Sequence, residues 1–170
     1  MSLSCNKENV VRNNCLGVLL ALAWVGCSLP CLAGDTQAAD KIVVIRPETS
    51  TGSKQGLPLF QGISGQNAGA RAISMNKVVI PPGGAAKAHR HKGYESVIYL
   101  IKGRVKTYYG EGLDKSVINE AGDFIYIPAD LPHKPVNMSK TESAEAIVAR
   151  TDPNEQESVE HVAEPADLKK

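Results

Sequence analysis

After its first thirty-odd residues the chain reads as all-β, and three observations point that way. Short runs rich in β-branched and aromatic residues recur, among them Val97-Ile98-Tyr99-Leu100-Ile101 and Phe124-Ile125-Tyr126-Ile127. Turn formers separate them: Pro81-Pro82-Gly83-Gly84, Lys102-Gly103 and residues 110–114. Third, His89-Arg90-His91 places two imidazoles two residues apart. On a strand both leave by the same face, while Arg90 points the other way.

The elements follow in order. Residues 1–33 read as a secretory signal peptide, with Lys7 and Arg12 before a nearly uncharged apolar stretch that ends in Cys31-Leu32-Ala33. Cleavage after Ala33 makes the mature protein periplasmic or secreted, with no membrane attachment. The alternatives are a retained anchor, which Gly26, Ser28 and Pro30 leave short of a spanning helix, and lipid attachment at Cys27, which fits poorly with Trp24 where leucine is expected. All four cysteines lie in this leader, so the mature part has neither a disulfide framework nor sulfur ligands. Residues 34–69 read as a linker, a short strand over 41–45 and a long loop. That loop is either a flap over the domain's mouth or an edge segment packed against it, and the second is preferred. Residues 70–151 form the main domain, with strands at 70–80, 95–101, 104–109, 116–119, 123–127, 136–138 and 144–150. Residues 152–170 are a C-terminal extension, partly frayed. Nineteen basic and eighteen acidic residues nearly cancel, and no basic patch suggests nucleic acid.

The chemistry concentrates in one constellation. His89 and His91 are followed by Glu95 and, much later, by His133. Three imidazoles and a carboxylate suit a first-row divalent metal. His161, in the polar tail, reads as an ordinary surface residue, and Arg71 and Lys106 as cations on solvated faces.

The spacing resembles the two motifs of the cupin family. The first is glycine, five residues, His-x-His, three or four residues, Glu, six residues, glycine. Here it reads Gly83, five residues, His89-Arg90-His91, three residues, Glu95, then seven residues before Gly103. The second is glycine, five residues, Pro-x-Gly, two residues, His, three residues, Asn. Here it reads Gly122, five residues, Pro128-Ala129-Asp130, two residues, His133, three residues, Asn137. Two positions depart. The extra residue before Gly103 fits a β-bulge or a longer turn, or would turn Ser96 rather than Glu95 inward. Glu95 is preferred, because its interval from His91 lies within the motif and serine is a poor ligand. Asp130 replaces glycine, and aspartate tolerates a left-handed turn better than most residues.

The resemblance implies a single cupin jelly-roll (double-stranded β-helix) barrel over 70–151, with one divalent transition metal (Mn, Fe, Ni or Zn) held by His89, His91, Glu95 and His133. Four such ligands leave about two open positions on a six-coordinate ion. The family spans oxygenases, isomerases, decarboxylases, storage proteins and sensors, so the fold does not decide the chemistry. The expected function is an exported metal-dependent enzyme acting on a small polar molecule, oxygenase- or isomerase-like, with no catalytic residue identifiable. The alternative is a non-catalytic, metal-dependent module that binds or senses a small-molecule ligand. The run 97–101 is apolar at every position, and a small barrel can bury only one of its faces, so a homodimer is expected.

Overall fold

The computed structural model describes residues 41–154 and 156–169, so the leader reading of residues 1–33 lies outside them. Two antiparallel sheets carry the described chain, with little helix. The strands are β1 (Thr51–Gly52), β2 (Pro58–Ile63), β3 (Ser74–Ile80), β4 (His89–His91), β5 (Ser96–Lys102) and β6 (Arg104–Tyr109). They continue with β7 (Lys115–Glu120), β8 (Phe124–Ile127), β9 (His133–Asn137), β10 (Ala144–Arg150) and β11 (Val159–His161). A six-stranded sheet runs β1-β2-β3-β10-β5-β8, and a five-stranded sheet runs β11-β4-β9-β6-β7. This arrangement is the jelly-roll architecture that the motifs imply.

Strand alternation sets which residues meet inside. Ile80, Leu100 and Ala144 from the first sheet pack with Val105 from the second and with Ala86 from the segment before β4, and Leu57 closes the cluster before β2. On the return faces the same strands are apolar too, and there they stay exposed: Val97, Tyr99, Ile101 and Phe124.

Two expectations for the flanking segments change, and the preferred reading of the long loop stands. Residues 41–45 form no strand: among the described residues no strand pairs with this β-branched run, and Ile42 is 93% exposed. The long segment after it is an edge element: β2 pairs with β3, and a one-turn helix, α1 (Gly65–Ala68), follows, capped by Ser64. The C-terminal extension is anchored through β11, which pairs with β4 from Val159↔His91 to His161↔His89.

The loop before β9 keeps its geometry despite the missing glycine. Asp130 adopts φ 62, the left-handed region. Its N–H donates to His91 O at 3.0 Å, and its Oδ1 accepts from Gly93 N–H at 3.0 Å. The turn after β4 and the loop before β9 are thus tied together by one side chain. Asn137, at the other end of β9, is a buried staple: its Nδ2 donates to Ile80 O, Pro81 O and Glu142 O.

Candidate metal centre

β4 and β9 meet at a single register pair, His89↔His133, and that pairing brings the distant histidine to the His-x-His strand. His89, His91 and His133 are all buried and offer ligand atoms within 4.8 Å of one another. Their ring centroids lie 5.0 Å apart for His89–His91, 4.3 Å for His89–His133 and 5.7 Å for His91–His133.

Two of the three rings are fixed from behind. His89 Nδ1–H donates to Lys87 O at 2.7 Å, and His133 Nδ1–H donates to Leu131 O at 2.9 Å. A carbonyl can only accept, so each bond leaves Nε2 as the unprotonated nitrogen, the tautomer a metal requires. His91 differs. Neither ring nitrogen has a hydrogen-bond partner among the described residues, although the residue is only 2% exposed. A buried imidazole without partners costs stability. A bond to a cation through one nitrogen relieves part of that cost, so the residues present fit a metal.

All three imidazoles are held neutral. Burial, and after it the neighbouring His133, pushes the His89 pKa well below its ordinary value. Burial followed by the Arg150 charge does the same at His91. His133 falls to about 4, mainly through burial, with Arg150 adding to it and the Leu131 carbonyl opposing.

Glu95 does not join this group. In β5 Ser96 and Leu100 are buried and Val97 and Tyr99 exposed, so Glu95 falls on the outward parity. Its carboxylate accepts from Tyr126 Oη at 2.5 Å, and its N–H donates to Thr151 Oγ1 at 3.0 Å. Ser96 faces the interior and accepts from Arg150 Nε at 3.0 Å. A bulge, one of the alternatives offered for the extra residue, is also present: the β5–β10 register shifts between Glu145 and Ala146. Six residues separate Ser96 from Gly103, the motif's own interval, so the glycine side of the motif carried the correct register.

Arg150 was not foreseen as a site residue. Ala144, Ala146, Val148 and Arg150 share one face of β10, and that face lines an interior cavity of about 90 Å³ together with His89 and His133. Counting by twos along this strand from its apolar residues would have placed the guanidinium inside. As expected, Arg90 turns outward to Glu160, at 3.0 Å from Nε and 2.9 Å from the terminal nitrogen. His161 stays exposed, with Nε2 donating to Lys54 O at 2.8 Å. Lys106 stacks over Tyr108 at 4.7 Å.

The family model described as the cupin domain matches residues 76–150. This domain belongs to the cupins. A search of curated protein sequences gave no match. Among solved structures, an oxalate oxidase superposes with TM-score 0.57 at 24% identity, covering 71% of this chain and 64% of that one. This chain therefore spans less than two thirds of that relative. The Lactobacillus farciminis oxalate decarboxylase, as a formate complex, gives TM-score 0.54 at 22% identity, covering 62% and 31%. The polyketide cyclase RemF from Streptomyces resistomycificus gives 0.58 at 19%, covering 75% and 89%. Identities this low establish a common fold, and the three names already span different reactions.

Proposed function

We propose that this protein is an exported cupin that binds one divalent transition metal through His89, His91 and His133 and acts as a metal-dependent enzyme on a small molecule. The observation that carries this reading is the buried His91 ring, whose two nitrogens find no partner among the described residues beside two imidazoles already locked in the ligand tautomer. A bound divalent metal would supply a Lewis acid able to polarise a substrate oxygen or acidify a water. The chain's own contribution is to keep the imidazoles neutral, to hold Arg150 as a fixed positive charge facing the cavity, and to wall off bulk water. The walls are largely aliphatic, with Leu57, Val78, Ile98, Val105 and Ile127 among them. They favour a ligand with a polar, chelating end and a small apolar remainder.

Those walls also favour the second reading, a module that binds a small molecule without converting it. Oxalate oxidase and oxalate decarboxylase are carboxylate-converting proteins of the same fold, which makes small carboxylates the first compounds to try. Metal analysis of the full chain, expressed with its leader, tests the first part. Full-length protein should carry about one metal per chain, and His91→Ala should lose most of it. Equal loading in wild type and variant would remove the triad from consideration. Turnover of a small carboxylate by loaded protein separates enzyme from binder. Sequencing the N-terminus of natively produced protein tests export, with Gly34 expected first.

Self-association belongs to the same proposal, with a second copy covering the outer face of the six-stranded sheet. Met75, Val97, Tyr99, Phe124 and Tyr126 support it. They form a contiguous exposed apolar surface on which Phe124 is 86% exposed.

A further inference from the structure

The two strands that carry the histidines are joined by few bonds. β4 and β9 share one register pair; beside it Asp130 N–H donates to His91 O, while Ala86 N–H to Pro135 O and Asn137 N–H to Gly84 O lie toward the far end of β9. Behind them runs the C-terminal segment. After β11 the chain donates from Val162 N–H to Ala88 O at 3.0 Å and brings Glu164 over the same point. Glu164 Oε1 accepts from Ala88 N–H at 2.8 Å, the residue immediately before His89. Glu164 Oε2 accepts from Lys134 Nζ at 2.6 Å, the residue immediately after His133. Lys134 points away from the interior because His133 points into it, yet it is only 4% exposed, since the segment covers it. Its ammonium also donates to Leu168 O at 2.5 Å.

One carboxylate thus bridges the backbone of one ligand strand to the side chain of the other, on the outside of the sheet. Charge-assisted bonds of this length are the strong class, and burial of Lys134 keeps water from competing. We infer that Glu164 is a positioning residue for the metal centre: it fixes the spacing of His89 and His133 from behind and thereby sets the affinity for the ion. This rests on the metal reading above. The rest of the segment behaves as ordinary surface pairing. Glu160, for example, meets Arg90 and Lys92 in the open, where ion pairs contribute little.

The test uses the full chain, metal-free, titrated with Mn(II) and Zn(II). Glu164→Gln keeps the shape and an acceptor for Ala88 but loses the charge facing Lys134. Its metal dissociation constant should rise about tenfold, the lower range for residues that orient ligands, whereas Glu160→Gln should leave it unchanged. Lys134→Gln probes the same bridge from the other side and should weaken binding similarly, which covers the case of a Glu164 variant that does not fold. A readout without metal is the ring N–H resonances of His89 and His133, which should shift or broaden in Glu164→Gln. Lower thermal stability with unaltered affinity and unaltered ring signals would reduce Glu164 to a terminal clasp and overturn the inference. A wild type that binds neither ion would instead take down the metal reading itself, and the inference with it.

Discussion

A serine stands where a carboxylate was expected, and this changes what a substitution at Glu95 should do. Glu95 faces solvent and Tyr126, so Glu95→Gln should leave metal content within error of wild type, as checked by elemental analysis of purified protein. Two intervals in the sequence competed at this position. The distance from His91 favoured Glu95, and the distance to Gly103 favoured Ser96. Only the alternation along β5 separates them, and an all-apolar run gives no contrast by which to read alternation. The three histidines were legible because each lies in a motif whose local turns fix it.

Their lowered pKa values also carry a sign. An imidazole that titrates near 6.5 in the unfolded chain and near 4 in the folded one, as at His133, takes up its proton first in the unfolded chain. Stability of the metal-free protein is therefore complete above about pH 6.5 and declines as pH falls toward 4, with His89 and His91 acting in the same direction. Urea midpoints measured between pH 7.5 and 4.5 should fall steadily. A flat profile would mean that the rings are solvated.

At the scale of elements, the hairpin between β5 and β6 is the most constrained point. Gly103 sits at φ 95, and a Cβ there would stand 2.8 Å from both Cα and Cβ of Ala144 on β10. Gly103→Ala combines a backbone conformation that L-residues avoid with a contact that no side-chain rotation relieves. We expect a loss of about 2–6 kcal/mol, the sum of typical strain and overpacking costs, read as a drop in the denaturant midpoint at unchanged slope. The closing glycine was visible in the sequence, and its reason was not, because Ala144 comes from a strand forty residues later. The same physics hid β11. Val159-Glu160-His161 has no strand-like pattern and becomes a strand only because β4 offers it an edge. In reverse, residues 41–45 have the composition of a strand and, among the described residues, no neighbour to pair with.

For the whole molecule, the order of strands in the two sheets depends on long-range pairing that local pattern does not encode, and it reached the sequence reading only through the two motifs. The exposed outer face of the six-stranded sheet gives the whole-molecule prediction. Light scattering on mature protein at micromolar concentration should report a dimer. Phe124→Asp, which puts a charge in the centre of that face, should shift it to monomer without loss of the fold. A wild type that is monomeric throughout would leave the apolar face to some other role.

The pairing of β11 with β4 also fixes a timetable. β4 is made first and β9 follows, and the segment that backs both is made after them. Contacts between distant segments form slowly. Until residues 159–164 have emerged, His89 lacks its outer neighbour and Lys134 its counter-charge. The three histidines reach their final geometry only once residues 159–164 have docked, so an emerging polypeptide exposes them in sequence but not as a set. On the metal reading proposed above, capture of an ion would follow that docking and would depend on the metals present where it occurs.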